Sequence, residues 1–311
     1  MDLRRLLERE DLSEQEAFKA GREIIQGAFP YQIAAFLALL HSKGETVEEI
    51  YGMVRAMQEV MIPYLSKERT LDIVGTGGDG ASTVNISTAS ALLAASLGVP
   101  ITKHGNRASS SQCGSADLLE YLGFDFDHPK RGNFTFLFAP HFHPAFKKIG
   151  LIRKELGIRT IFNIIGPLLN PAYPAHLLCG VADPSLMEVM AGVLVKMKTT
   201  HSVVFHGQGI DELSLLGPCQ VIEIEKGEMK KWTLNPEDYG FKLCTLSDLQ
   251  GGDAKTNASL LKEAMTTGRG AIADTLALNG AMALYIYGKV PLKEGIRLAK
   301  KNMEEGTGWI F

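Results

Sequence analysis

A chain of 311 residues, 45% hydrophobic and 22% charged, has the composition of a globular protein with material for one large core and a smaller partner domain. Its net charge of -3 leaves no basic excess to attract nucleic acid or an anionic membrane, so an anionic small substrate has to be held by local cations and backbone amides. The four cysteines, Cys113, Cys179, Cys219 and Cys244, form no C-x-x-C pair and so indicate neither a zinc knuckle nor a redox dithiol. The N-terminal stretch Met1-Asp2-Leu3-Arg4-Arg5 is charged where a signal peptide is apolar. Apolar runs stop short of the roughly 18 residues a membrane helix needs. The expected location is cytoplasmic.

In chain order, the first 65 residues read as helices. Ser13-x-x-Glu16 is a capping-box pattern that opens a helix, and Gly27 closes it. Pro30 begins a second helix with Ile33, Phe36, Leu37 and Leu40 on one face. Thr46-x-x-Glu49 is another capping box; it starts a third helix through Val54, Met57 and Val60, ended by Pro63. These helices carry apolar surface and little chemistry, which suits a small helical domain, a dimer surface, or both.

The texture changes at Leu71-Asp72-Ile73-Val74, a short β-like run. A glycine loop follows, then a buried helix rich in Ala and Leu over 87–97. A second strand over 99–103, a polar loop over 104–111 and a helix near 116–122 continue the pattern. Strands at 134–138, 177–181 and 203–206 carry the alternation to about residue 225, which argues for α/β layers. Residues 257–305 return to helices, broken at Gly268 and from Gly288 to Pro291.

Gly75, Gly77 and Gly80 match G-x-G-x-x-G, a weak signal in a chain with 32 glycines. The context strengthens it. A strand precedes the loop and a helix follows, so backbone N–H groups and the helix N-terminus can face a phosphate. A dinucleotide site wants an acidic residue at the end of the next strand, where this chain has Lys103-His104. No Walker string occurs either. The helix begins Val84-Asn85-Ile86-Ser87-Thr88; Asn85, Ser87 and Thr88 are candidate phosphate or metal ligands, one of which is expected to cap the helix.

A second loop, Lys103-His104-Gly105-Asn106-Arg107-Ala108-Ser109-Ser110-Ser111, packs two cations, an amide, three hydroxyls and a glycine into nine residues at a strand end. Ligands in open α/β sheets bind at such ends. A third feature is the acidic pair Asp211-Glu212. Read alone it is a solvated pair or a set of hard oxygen ligands for Mg2+ shared with substrate phosphates.

Taken together, 72–80, Asn85-Ile86-Ser87-Thr88, Lys103-His104-Gly105-Asn106-Arg107, Phe138-Ala139-Pro140, His143-Pro144-Ala145, Arg159-Thr160-Ile161-Phe162-Asn163, Gly166-Pro167-Leu168, Asn170-Pro171-Ala172 and Gly209-Ile210-Asp211-Glu212 resemble the signature of the anthranilate phosphoribosyltransferase family. The resemblance runs from about residue 10 to about 305. It implies a small all-helical N-terminal domain over 1–65, joined by a helical part of the later chain. The rest, 66–311, would be a larger α/β domain with a central mixed sheet flanked by helices. It implies a homodimer through the helical domain and transfer of phosphoribose from 5-phosphoribosyl 1-diphosphate (PRPP) to the amine of anthranilate. By motif match, Gly75, Gly78, Asp79, Thr83, Asn85, Ser87, Thr88, Lys103, Asn106, Ser111 and Ser115 line the PRPP site. Ile86, Gly105, Arg107, Ala108, Ser109 and Ser110 count with these among the substrate-binding residues. Ser87, Asp211 and Glu212 hold Mg2+. Gly75, Asn106 and Arg153 contact anthranilate, and His104 and His143 line its entry.

The implied catalytic residues are Lys103, at the leaving pyrophosphate, and Arg153, at the acceptor carboxylate. No covalent intermediate and no general base are assigned. The chain departs from the family between Gly123 and Phe136, where it is shorter; Pro129 and Gly132 there argue against a full helix. It also ends at Phe311, earlier than relatives often do. The alternatives are a related transferase with another aromatic amine acceptor, a pyrimidine-nucleoside phosphorylase, or a non-catalytic paralogue that binds nucleic acid. A basic charge would favour the last.

Overall fold

The computed structural model of the chain describes residues 1–108 and 111–309; Ser109 and Ser110, expected in the second loop, lie outside the described residues. The chain opens with helices α1 (Leu3–Leu7), α2 (Glu14–Gln26), α3 (Pro30–Lys43) and α4 (Val47–Gln58). Both expected capping boxes form: Ser13 Oγ accepts from the Glu16 amide while Glu16 accepts from the Ser13 amide, and Thr46 and Glu49 repeat the exchange. Gly27 ends α2 with φ of 95°, a left-handed geometry that glycine adopts without strain. Helix α1 has no counterpart in the sequence reading; it is short, capped by Asp2, and buries only Leu6.

Helix α4 ends at Gln58 rather than at Pro63. Beyond it the backbone is drawn onto the α/β part: the Ile62 amide donates to Phe142 O and the Tyr64 amide to Pro171 O, each at 2.9 Å.

Next come β1 (Leu71–Gly75), α5 (Ile86–Ser96), β2 (Ile101–Gly105), α6 (Ser115–Tyr121), β3 (Lys130–Arg131), β4 (Phe134–Phe138), α7 (Ala139–Phe142), α8 (Phe146–Leu156) and α9 (Ile161–Ile164). They are followed by β5 (His176–Gly180), α10 (Met187–Lys196), β6 (His201–His206), β7 (Cys219–Glu225) and β8 (Glu228–Leu234). Helices α11 (Ala254–Thr267), α12 (Gly270–Ile286) and α13 (Leu292–Glu304) complete the chain. As expected, residues 124–129 hold no helix; β3 instead pairs antiparallel with β4.

The eight strands form one mixed sheet in the order β3-β4-β2-β1-β5-β6-β7-β8. Strands β4, β2, β1, β5 and β6 are parallel, and β7 and β8 add an antiparallel hairpin that the α/β alternation did not foretell. The outer strand β8 shows Glu228, Lys230 and Lys231 to solvent, charges that keep an open edge from pairing with another chain.

Side-chain alternation along the strands feeds two cores. Ile73, Leu178, Val203 and Phe205 join the Ala- and Leu-rich α5 and the C-terminal helices α11 to α13. Leu177, Cys179, Val204 and Ile222 join the opposite core, which continues without a break into α2 to α4 and α10. This layering leaves the C-terminal ends of β1, β2, β5 and β6 facing a common space. Among the described residues no helix is long and apolar enough to cross a membrane.

Candidate active site

Strands β1 and β5 both end in glycine, and the reason is tertiary. A Cβ on Gly75 would collide with the Asp211 carboxylate, and one on Gly180 with the Asp211 backbone carbonyl. The segment after β6 therefore tucks against both strand ends. From there Asp211 Oδ2 accepts from the Gly77 amide at 2.6 Å, and Glu212 Oε1 accepts from the Ser87 amide at 3.1 Å. The glycine loop bends through left-handed residues at Gly77, Gly78 and Gly80.

This corrects one expectation. None of the three polar residues at the start of α5 caps it: Asn85 is at the N-cap position but makes no side-chain cap bond. Glu212, from the loop after β6, satisfies the Ser87 amide instead. A carboxylate at a helix N-terminus is favoured by the helix dipole.

Lys103 is 2% exposed; its Nζ donates to Ile73 O at 2.6 Å and to Ser87 Oγ at 3.3 Å. Burial pulls its pKa down, against the opposing charges of Asp72, Glu212 and Asp211. Burial pushes Asp211 up to about 7, with Asp79 adding repulsion. It pushes Glu212 well above the carboxylate range, with Asp211 adding repulsion. Asp79 itself accepts from the Ala81 amide at 3.0 Å. Gly75, Gly77, Asp79, Ser87, Lys103, Asp211 and Glu212 thus converge, and the buried carboxylates hold their protons more tightly than usual unless a cation stands beside them.

The second loop is held in shape by α6. Asn106 O accepts from the Ala116 amide at 3.1 Å and from Ser115 Oγ at 3.2 Å, and Asp117 Oδ2 accepts from the Ala108 and Gly114 amides. Arg107 forks onto Glu120 at 2.7 and 2.8 Å and lies over the Phe138 ring, so its side chain anchors the loop to α6. The Ile86 and Thr88 side chains are buried in the helix core. Thr83 and Ser111 line one small cavity with Cys113 and Asn257.

Directly after Lys103, His104 points to a different environment. Its Nε2 lies 3.1 Å from His143 Nε2, both rings buried. Burial lowers their pKa values, to about 3 for His104 and about 4 for His143, so both are neutral at pH 7 and one donates to the other. The contact continues as His143 on Phe146 (5.4 Å between centroids) and Phe146 on Phe162 (5.5 Å). The Arg153 guanidinium lies 5.9 Å from the Phe162 centroid, so an aromatic wall joins the two histidines to Arg153.

Three residues at the candidate site stand in the family strings but were given no role there by sequence. Asp72 is fully buried beneath His104 and Lys103, with its pKa raised to about 6 by burial against the charge of Lys103. Asn170 donates to Asp72 Oδ2 and to Thr102 O, each at 2.7 Å. Arg159 places its guanidinium 3.5 Å from the Gly77 and Gly78 carbonyls. Asn170 before Pro171 signals only a loop, and Asp72 within a strand only its alternation; neither pattern announces a partner.

Two family descriptions match the chain: "Glycosyl transferase family, helical bundle domain" over 3–61 and "Glycosyl transferase family, a/b domain" over 67–309. The anthranilate phosphoribosyltransferase of Chlamydia caviae is 43% identical over 314 residues, covering 98% of this chain and 92% of the relative. That of Desulforamulus reducens is 45% identical over 308 residues, covering 95% and 89%. The crystal structure of the Thermus thermophilus anthranilate phosphoribosyltransferase superposes with a TM-score of 0.91 at 41% identity, covering 99% of this chain and 96% of that one. The Saccharomyces cerevisiae enzyme in complex with PRPP and Mg superposes with a TM-score of 0.88 at 29% identity, covering 98% and 93%.

Proposed function

The chain belongs to the anthranilate phosphoribosyltransferase family, and from that premise we propose how its site works. The activity is transfer of the 5-phosphoribosyl group from PRPP to the amine of anthranilate, with release of pyrophosphate, in tryptophan biosynthesis. One observation carries the assignment of sides. Consecutive residues of β2 face two chemistries: Lys103 enters the polar cluster of the glycine loop, and His104 enters the neutral aromatic wall. A charged, metal-dependent donor and a flat aromatic acceptor need that adjacency.

The polar cluster fits Mg2+. Asp211, Glu212 and Ser87 Oγ are hard oxygen donors, and each carboxylate gives one oxygen to a backbone N–H. Among the described residues no three His, Cys, Asp or Glu side chains converge to hold a metal alone. When bound, Mg2+ supplies positive charge to the leaving pyrophosphate.

The chain's own residues do the rest. The barrier lies in breaking the ribose C1–oxygen bond, so the main task is to stabilise the departing anion and position the amine. Lys103 and the amides of the glycine loop serve the anion. Arg153 orients the acceptor carboxylate with its planar fork, and the aromatic wall excludes water around the ring. The His104–His143 pair is neutral and internally bonded, and no base is assigned to it. A homodimer through the helical part is supported by Leu7, Phe29 and Tyr31, each more than half exposed, with the Phe29 and Tyr31 rings stacked at 5.3 Å.

The assay is the loss of anthranilate fluorescence on adding PRPP and Mg2+. Loss dependent on the protein, PRPP and Mg2+ is expected; folded protein that gives none overturns the reading.

A further inference from the structure

Asn85 stands at the N-cap of α5, where an Asn side chain ordinarily accepts from the first helical amides, and makes no such bond. Its carboxamide is engaged elsewhere. Nδ2 donates to Cys113 O at 3.0 Å, and Oδ1 accepts from Asn257 Nδ2 at 2.9 Å. Asn257, on α11, is 1% exposed, and its own Oδ1 accepts from the Gly252 amide at 2.7 Å. The result is a one-way chain of amides running from Gly252 through Asn257 and Asn85 to Cys113. A backbone N–H can only donate and a carbonyl can only accept, so the two ends fix which way both carboxamides face. Turning either one would set donor against donor or acceptor against acceptor in a partly buried place.

The backbone around this chain is tied in the same sense. The Val84 amide donates to Leu249 O and the Gly251 amide to Ser82 O, each at 2.9 Å, and Thr83 bridges Gln250. The stretch 249–252 therefore runs beside 82–84, where the glycine loop enters α5. Ser82, Thr83, Ser111 and Cys113 line one small cavity with Gly252 and Asn257.

Resting on the donor-site reading above, we propose that Asn257 is a positioning residue for PRPP: it sets the face that Asn85 presents and so couples the C-terminal helices to the phosphate loop. It acts through Asn85 and the loop, not by touching the substrate. Sequence places the two residues 172 positions apart, and the packing of α11 on α6 brings Asn257 to the start of α5.

Asn257→Asp tests this. It keeps the size of the side chain and the acceptor for Gly252, but sets an oxygen against Asn85 Oδ1 and so turns Asn85 over. With each substrate varied in turn, KM for PRPP should rise about tenfold while KM for anthranilate stays within about twofold, the scale of one misdirected hydrogen bond. The same substitution in an Asn85→Ala background should add no further rise, because its target is gone. Asn257→Ala, which removes the donor without burying a charge, carries the same test should the Asp variant not fold. An unchanged KM for PRPP, an equal rise in both KM values, or a fully additive double variant overturns the positioning role. A wild-type chain that consumes no PRPP rejects the donor-site reading itself, whereas an active wild type with unaltered variants rejects only the role of Asn257.

Discussion

On the proposed donor side, Gly77, Ser87, Lys103, Asp211 and Glu212 are joined by hydrogen bonds of 2.6 to 3.3 Å. On the proposed acceptor side, His104, His143, Phe146, Phe162 and Arg153 meet through contacts between 4.9 and 5.9 Å to ring centroids. The first is a lattice of directed bonds, in which each group has one useful orientation. The second is a packed surface whose only permanent charge is one half-buried guanidinium. The lesson is a division of labour. Charge that must be met as it develops is met by groups fixed in advance, while a flat neutral ring needs shape and one directional anchor.

That comparison can be broken at several places. Removing both acidic groups, Asp211→Ala with Glu212→Ala, should give the largest effect: a fall in kcat/KM of about 100-fold or more at fixed Mg2+, as for other losses of preset electrostatic groups. Full activity at unchanged Mg2+ would remove these residues from the donor side. Next, Arg153→Ala should raise KM for anthranilate about 10- to 100-fold, the worth of a charged hydrogen-bonded contact, with little change for PRPP. Equal effects on both substrates would merge the two sides into one.

Asp72 sharpens the boundary between them, because it lies under both Lys103 and His104. Its folded pKa of about 6 exceeds the ordinary carboxylate value. The folded protein therefore holds a proton that the unfolded chain has lost between about pH 4 and 6, and this group's contribution to stability falls as pH rises through that window. Compared with Asp72→Asn by urea unfolding, the wild type should lose on the order of 2–3 kcal/mol more between pH 4 and 7. Parallel stability curves for the two proteins would mean Asp72 ionises normally. The smallest effect belongs outside the site: Ser13→Ala removes the cap of α2 and should cost about 1 kcal/mol of stability while both KM values stay unchanged. A kinetic effect there would show that the helical part reaches further into the site than its contacts indicate.

Much of this was legible in the sequence. Ser13, Thr46 and Gly27 mark helix ends because caps and left-handed turns depend on a few neighbouring residues. The glycine loop and the cationic end of β2 are local strings, and they marked the candidate site. The β7–β8 hairpin was less legible, since an antiparallel return at the end of an α/β run changes no local period. The shortened stretch before β4 was read correctly as non-helical from Pro129 and Gly132, but not its pairing as β3.

What sequence determined by itself was the set of elements and the chemical character of their ends, because both follow from short-range backbone preferences. Tertiary structure decided which groups meet. Asp211 reaches Gly77 across 134 residues, and Glu212 reaches Ser87 across 125. It made Glu212 the cap of α5 and left Asn85 free to be aimed by Asn257. It turned Arg107 onto α6 and buried Asp72 beside Lys103. Those outcomes depend on desolvation and on the one geometry in which buried donors and acceptors all find partners, and neither exists until the sheet has closed between its two helical layers.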